Sequence, residues 1–191
     1  DREDTGAVTT MTRNDAANYS ASERLRDGRT VTIRAIRPED KESLAGSLIE
    51  LSSESYYRRT FSPKRELSDS ELKQMTDVDF KNIVALVAVM QEGGKERIVG
   101  GGRYLRMGDA APRNAEVAFL IDDEHQGIGI GSRIFRHLIA IARDAGVAKF
   151  EAEVLPSNEG MLRLFERCGL TVAKAVTEST VHVTIKLDNG G

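Results

Sequence analysis

A strand, a glycine-rich turn and a long amphipathic helix follow one another between residues 115 and 146. The strand segment is AEVAFLID (115–122), and the turn HQGIGIG (125–131) holds three glycines spaced two apart. Because such a helix buries its apolar face on a sheet, the chain is predicted to be a mixed α/β protein. The apolar positions that define this face recur at helical spacing: Ile130, Ile134, Leu138 and Ile141.

The other predicted elements extend this unit into one domain. Strands are predicted at residues 30–37, 83–90, 97–107 and 147–155, with two more after Gly169. Helices are predicted to open at Pro38 and to cover residues 52–61, 68–75 and 159–168. This order predicts an α/β or α+β fold over residues 28–187, a mixed central β-sheet of about six to seven strands flanked by helices. Residues 1–27 are polar without a sustained apolar period and are predicted to be a flexible N-terminal leader.

The composition narrows the class of protein. A length of 191 residues suits one domain, and a formal net charge of −3 does not support a nucleic-acid-binding surface. The single cysteine, Cys168, excludes an internal disulfide and a cysteine-based zinc cluster, so no metal is expected. The longest apolar run, residues 83–90, is too short to cross a bilayer. With no secretory leader pattern, a cytoplasmic protein without nucleic-acid or membrane partners is expected, as a monomer or a dimer.

The glycine-rich turn can be compared with three kinds of phosphate-binding loop. A Walker loop needs Gly-Lys-Ser/Thr, and here Ser-Arg follows the last glycine, which excludes it. A dinucleotide-binding loop needs G-x-G-x-x-G, whereas Gly127, Gly129 and Gly131 give G-x-G-x-G after an antiparallel hairpin. The third pattern is Gln-x-x-Gly-x-Gly from Gln126, opening a helix whose free N–H groups favour an anion. An ordinary glycine-rich turn is the alternative at this point.

This third pattern resembles the signature of the GNAT superfamily of N-acetyltransferases. A later segment, LPSNEGMLRLFERCGL (155–170), is similar to the asparagine and short helix of that family, and the resemblance runs from about residue 30 to residue 172. It implies the GNAT fold and acetyl-CoA-dependent N-acetyltransferase activity, with the amides of the loop on the cofactor pyrophosphate. The cofactor-binding residues that the resemblance implies are Leu120, Ile121, Asp122, Gln126, Gly127, Ile128, Gly129, Ile130, Gly131, Ser132, Asn158 and Phe165.

Glu116 is the candidate general base. A lysine amine has a pKa of about 10.4, so it is mostly protonated at neutral pH and needs a base before it can attack. Glu116 is the only charged residue in AEVAFLI (115–121), and a carboxylate in a central strand would be desolvated, which strengthens it as a base. An exposed strand end is the alternative. By resemblance, the stretch Glu-Val-Ala-Phe from Glu116 matches one whose glutamate acts as the base in histone acetyltransferases and bacterial protein acetyltransferases.

Two further roles follow from the resemblance. A backbone N–H at about Leu120, where the fourth predicted strand would bulge and splay from the fifth, would stabilise the oxyanion, and such a donor is typically worth about 3 kcal/mol. Many members carry a tyrosine in the final helix as general acid, whereas this chain has Phe165 at that place. A thiol leaves easily because its pKa is about 8.5, so the missing acid does not imply an inactive enzyme.

The sequence says less about the acceptor of the acetyl group than about the cofactor. The segments RAIRPEDKESL, LSSESYYRRTF, TDVDF and NAEVAFLIDDEHQGIGIG together resemble the acetyltransferase domain of bacterial Pat-type protein lysine acetyltransferases. The resemblance implies a lysine of a metabolic protein, notably an acyl-CoA synthetase, as the acceptor. Residues 52–61 would then roof the acceptor site, although they could equally form a packing helix. A small-molecule amine N-acetyltransferase and a non-catalytic acyl-CoA sensor stay open.

The remaining reactive residues are predicted to be structural. His125, His137 and His182 lack companions that would make them metal ligands or bases. Cys168, just before the glycine that ends its helix, is predicted to be a small buried hydrophobe. Three consecutive glycines at 100–102 either relieve crowding, form a bulge or flank the acceptor slot.

Overall fold

The computed structural model describes residues 16–50, 66–121 and 125–188. These ranges contain eight strands: β1 (Ser20–Arg24), β2 (Thr30–Ala35), β3 (Ile83–Glu92), β4 (Lys95–Arg106), β5 (Asn114–Ile121), β6 (Lys149–Val154), β7 (Val172–Val176) and β8 (Val181–Lys186). They also contain four α-helices: α1 (Lys41–Glu50), α2 (Asp69–Thr76), α3 (Ile130–Asp144) and α4 (Glu159–Glu166). Short 3-10 turns lie at Ala16–Asn18 and Pro38–Asp40.

All eight strands belong to one sheet in the order β1-β2-β3-β4-β5-β6-β8-β7. Neighbouring strands are antiparallel except β5 and β6, which are parallel. This parallel pair is short, since it joins only residues 114–116 of β5 to residues 149–151 of β6. Beyond it the two strands separate, so the predicted splay is confirmed and the far half of β5 has one edge without a strand partner.

The helices cover the two faces of the sheet. On one face α3 buries seven residues, and full burial of one leucine or isoleucine contributes about 1.5–3 kcal/mol. Helices α1 and α2 pack on the other face, over residues of β3 such as Val87 and Val89. Strand β3 is therefore buried on both faces, as its continuous apolar run predicts. No helix in the described ranges is long and apolar enough to span a membrane.

Glycines in β4 let α3 approach the sheet closely. A Cβ at Gly102 would lie 2.7 Å from Cγ2 of Ile134 and 2.8 Å from Cδ1 of Phe119, and a Cβ at Gly100 would lie 2.9 Å from Cδ1 of Ile121. These distances are too short for real Cβ contacts, so the expectation that the glycines relieve crowding is confirmed at both positions. A bulge also occurs here, because the β3–β4 register shifts by one residue at Val99.

The N-terminal part of the fold differs from the prediction. Strand β1 pairs with β2 through a turn containing Gly28, whose φ of 87° favours glycine. The predicted flexible leader is therefore wrong for residues 16–27, and the strand count of six to seven is too low. The sequence lacked an apolar signal here because β1 is held largely by polar groups: Glu23 accepts from Nε2 of His137 at 3.0 Å and also pairs with Arg136. Residues 1–15 lie outside the described residues.

The other predicted elements agree with the structure. The helix predicted at 68–75 is α2, which begins with a capping box: Ser68 Oγ accepts from the Glu71 N–H at 3.2 Å, and Oε2 of Glu71 accepts from the Ser68 N–H at 2.8 Å. The predicted helices after Pro38 and from residue 130 are also confirmed. The helix predicted at 52–61 lies outside the described residues.

Candidate active site

A groove lies on the face of the sheet that α1 and α2 partly cover. It is a cavity of about 550 Å³ whose floor includes residues 100–103 of β4 and residues 116–120 of β5. Its far end reaches the splay between β5 and β6, where Asn158, Met161 and Phe165 form the wall. The groove therefore connects an open sheet face with the only place where two neighbouring strands of the described sheet part.

A second cavity, of about 850 Å³, lies between α3 and α4 and extends along α3 from its N-terminus to Arg143. The glycine-rich turn and Ser132 line one side, and Leu164 and Cys168 line the other. Asn158 and Met161 line both cavities, so the two meet at the splay. The two cavities therefore adjoin at these two residues, between the N-terminus of α3 and the open sheet face.

The glycine-rich turn exposes backbone donors at the start of α3. Gly127 and Gly129 have φ values of 81° and 93°, which side-chain-bearing residues rarely adopt. Gly129 is the N-cap residue and has no side chain to accept from the first-turn N–H groups. Ser132 instead donates its hydroxyl to the Gly129 carbonyl at 3.1 Å. The uncapped amides and the positive dipole end therefore face the second cavity, ready for an anion.

Side chains outside the glycine motif hold this turn in place. Arg133 donates from Nη1 to the Gly129 carbonyl at 3.0 Å and from Nη2 to the Arg24 carbonyl at 2.7 Å. His125 is buried, and its Nε2 lies 2.8 Å from Oε1 of Glu92. Burial alone would raise the pKa of the Glu92 carboxyl, but hydrogen bonds from His125 and an arginine hold it below its usual value. His125 is thus an anchor between β3 and the turn, and the prediction that it is structural agrees with this geometry.

Arginines line the second cavity, although Arg136 and Arg163 also pair with Glu23 and Glu159 outside its lining. Its described lining residues include no aspartate or glutamate but include five arginines: Arg26, Arg136, Arg143, Arg163 and Arg167. Guanidinium groups are well suited to phosphate because they donate paired hydrogen bonds. A coenzyme A molecule carries a diphosphate, a further phosphate and a long pantetheine arm, so the charge of this cavity and its connection to the splay fit that group.

The remaining predicted cofactor residues fall into three groups. Gln126 is exposed, lines the second cavity and donates to the Ile121 carbonyl at 3.5 Å. Ile128 packs against the core beside the turn, and Ile130 is 1% exposed, so these side chains support the loop. Gly131 lines the cavity, where an added Cβ would lie 3.6 Å from Cδ2 of Leu164, and Asp122 lies outside the described residues.

Two residues of the later motif have structural roles in addition to lining the groove. Asn158 caps α4 by accepting from the Met161 N–H at 3.3 Å. Phe165 is 1% exposed, and its ring packs edge-on against Phe135 with centroids 5.5 Å apart. Phe165 therefore reaches the groove only with a small part of its surface.

Glu116 lies on the groove face of β5. It is exposed, and its Cα partner across the parallel pair is Glu151 of β6. The expectation that a central strand desolvates this carboxylate is wrong, because the strand turns Glu116 toward the open face and its neighbours Ala115 and Val117 toward the core. An open position leaves the carboxylate accessible to a ligand in the groove.

Leu120 lies four residues further along β5, on the same face. It is half-buried and lines the groove opposite Gly101 of β4. The pairing of β4 with β5 keeps one register from Gly100 to Arg106, so the bulge expected in β5 is wrong; the bulge belongs to β4 at Val99. Beyond residue 116, β5 pairs with β4 but not with β6, so Leu120 lies at the splay.

The other reactive side chains do not form a second centre. Within the part of the chain that the structure describes, no three histidine, cysteine, aspartate or glutamate residues are arranged to hold a metal ion. Cys168 is half-buried and lines the second cavity. His182 lies at the groove-side face of β8, with Nδ1 2.5 Å from Oε1 of Glu153.

The fold and the site define a class of acyl-transferring enzymes, and comparison with known proteins gives the family. Residues 47–170 match the model of the acetyltransferase (GNAT) family, and the chain belongs to that family. Acetyltransferases of this family use acetyl-CoA. The expected GNAT fold and enzyme class are confirmed.

Comparison with individual relatives shows which members of the family this chain is similar to. The chain is 36% identical over 145 residues to acetyltransferase Pat of Mycolicibacterium smegmatis, which covers 76% of this chain and 42% of that protein. It is 32% identical over 158 residues to acetyltransferase PA5475 of Pseudomonas aeruginosa, covering 83% and 84%. The crystal structure of the GNAT domain of S. lividans PAT superposes with a TM-score of 0.79 at 35% identity, covering 87% of this chain and 96% of that domain. The chain thus spans less than half the length of the mycobacterial Pat.

Proposed function

We propose that this protein transfers the acetyl group of acetyl-CoA to a lysine amine of a metabolic protein, an enzyme of the acyl-CoA synthetase type, with Glu116 as the general base. The observation that carries the proposal is the position of Glu116 on the open floor of a groove that adjoins an arginine-lined cavity at the splay. The similarity to two Pat proteins supports a protein acceptor. We expect the reaction to take place in the cytoplasm.

The cofactor side of the reaction uses backbone groups. Acetyl-CoA supplies an acetyl thioester, which is activated toward attack by an amine. The first-turn amides of α3 and the loop residues 126–132 hold the diphosphate, because they present N–H donors at the positive end of the helix dipole. The backbone of residues 120–122 and the side chains of Asn158 and Phe165 bind the pantetheine arm in the splay. This arrangement directs the thioester toward the groove.

The acceptor side uses Glu116. The lysine amine enters along the open sheet face and transfers a proton to the Glu116 carboxylate, directly or through one water molecule. The neutral amine then attacks the thioester carbon, and the backbone N–H of Leu120 donates to the thioester oxygen as negative charge develops there. The C–S bond breaks next, and the second proton of the amine nitrogen passes to solvent. The sulfur leaves as a thiolate and takes its proton from solvent, since Phe165 has no proton to donate.

The test is transfer of labelled acetyl from acetyl-CoA into an extract of soluble proteins from the organism that encodes this chain. We expect label in discrete protein bands, and mass spectrometry then identifies the acetylated lysines. Glu116→Gln should lose this labelling, whereas Glu151→Gln, the matched carboxylate on the neighbouring strand, should keep it. Equal labelling by Glu116→Gln would remove Glu116 from the mechanism.

The same assay separates the other acceptor classes. Label that appears only in small molecules would replace the protein acceptor with a metabolite amine. Coenzyme A binding without any transfer would identify a non-catalytic acyl-CoA sensor.

A further inference from the structure

We infer that Arg26 is a cofactor-binding residue that contacts the diphosphate of acetyl-CoA. Arg26 lies in the turn between β1 and β2, outside the residues 47–170 that match the family model. The inference rests on the proposed function, because it names a further ligand for the same cofactor. The N-terminal hairpin would then be part of the binding site as well as of the sheet.

The turn that carries Arg26 is well defined. The Leu25 N–H donates to the Arg29 carbonyl at 2.7 Å, and the Gly28 N–H donates to the Leu25 carbonyl at 3.0 Å. Leu25 itself is 3% exposed and belongs to the core on the α3 face of the sheet. Because the turn is anchored by a buried side chain and closed by backbone hydrogen bonds, the residue after Leu25 is presented in a fixed direction.

A hydrogen bond holds this turn against the glycine-rich loop. Arg133 bridges the carbonyls of Arg24 and Gly129, so one side chain of α3 joins the end of β1 to the N-cap of the helix. Nε of Arg26 consequently lies 3.7 Å from the position that a Cβ would occupy at Gly129. The guanidinium is therefore beside the amides that are expected to bind the diphosphate.

Arg26 is the arginine of this turn whose charge faces the cavity. Arg29 pairs with Asp27 at 2.7 Å and does not line the cavity, whereas Arg26 lines it and has no hydrogen-bond or ion-pair partner among the described residues. The helix dipole offers only about half a positive charge, less than the negative charge of a diphosphate. A guanidinium at this position adds a full positive charge and two parallel donors.

The inference is tested by calorimetric titration of the full chain with coenzyme A and with dephospho-coenzyme A, which keeps the diphosphate but lacks the 3′-phosphate. We expect Arg26→Gln to raise both Kd values about ten-fold, which is the effect of losing one charge-assisted hydrogen bond. We expect Arg26→Lys to restore part of the affinity. The matched control is Arg29→Gln on the same turn, which should leave both Kd values unchanged within about two-fold.

S-acetylpantetheine, a donor without phosphates, gives a second readout. The kcat/KM of Arg26→Gln with this donor should equal that of the wild type, while kcat/KM with acetyl-CoA should fall about ten-fold. An equal loss with both donors would show that the substitution disturbs the fold, and it would overturn the inference. The inference would also be overturned if Arg26→Gln lost affinity for coenzyme A but not for dephospho-coenzyme A, or if its Kd for coenzyme A were unchanged. Failure of the wild-type chain to bind coenzyme A would reject the proposed function itself.

Discussion

The two ends of the candidate site, which are the α3 cavity and the groove on the sheet, are lined by different groups. At the α3 end, the cavity is lined by backbone amides, glycines and five arginines, and no carboxylate lines it within the described ranges. At the groove end, the open sheet face carries carboxylates on β5 and β6: Glu116, Glu151 and Glu153. The first end suits an anion that binds the same way in every turnover. The second suits a cationic acceptor whose proton must be removed.

The difference teaches how each end is encoded. The glycine-rich turn lies within seven consecutive residues, so local sequence determines its backbone and its place before a helix. The carboxylates of the groove come from two strands about 35 residues apart, and only the register of β5 against β6 places Glu116 beside Glu151. Four predictions test this division.

The largest effect is expected at the groove end. Glu116→Gln should lower kcat/KM for a lysine peptide by about 10²–10⁴-fold, the usual contribution of a general base. Coenzyme A affinity should stay within about two-fold, since Glu116 lies away from the arginine-lined cavity. Steady-state kinetics and calorimetry measure the two quantities. A parallel loss of coenzyme A affinity would show that the two ends are not separate.

A substitution in strand β4 is expected to change the stability of the protein. Gly102→Ala should reduce the free energy of unfolding by about 1–3 kcal/mol, because the new methyl group overlaps Ile134 and Phe119. Gly46→Ala in α1 is the matched control, since no atom lies within 4 Å of the added Cβ. It should stabilise the protein by about 0.5–1 kcal/mol through helix propensity. Urea titration measures both, and similar values for the two variants would refute close packing at Gly102.

The glycine turn provides a comparison within the cofactor end. Gly127 and Gly129 both have positive φ, but only at Gly129 would a Cβ meet Arg133. Gly129→Ala should therefore weaken coenzyme A binding by about ten-fold, through backbone strain and displacement of Arg133. Gly127→Ala carries the strain alone and should have a smaller effect. Calorimetry with both variants checks the order, and the reverse order would contradict this account of the loop.

The smallest effect concerns pH at the groove face. The hydrogen bond that His182 donates to Glu153 raises the pKa of His182, so the ion pair stabilises the fold below the usual histidine pKa and is lost as pH rises through the folded-state value. His182→Gln should therefore lower stability at pH 5.5 but not at pH 9. Because the side chain of His182 is 37% exposed, the difference should be about 0.5 kcal/mol or less. Urea titrations at the two pH values measure it; an equal difference at both would exclude the ion pair as the cause.

Much of the fold follows from sequence pattern. The apolar stripe of α3, the continuous run of β3 and the capping box of α2 each predict the element that the structure contains. Strand β1 could not be found this way, because polar contacts to α3 hold much of it, and such contacts leave no apolar period in the sequence. For the same reason the sequence did not single out Arg26, which becomes a candidate cofactor ligand only when the β1–β2 hairpin places it beside the glycine-rich turn.

By itself the sequence determined the elements with a clear apolar period, the glycine turn and the identity of Glu116 as the one charge in its strand, because each depends on residues close together in the chain. The tertiary structure decided which way Glu116 faces, where β5 parts from β6, and which arginines converge on one cavity. Those properties depend on strand register and on contacts between distant segments. Their energies come from neighbours that the local sequence does not specify.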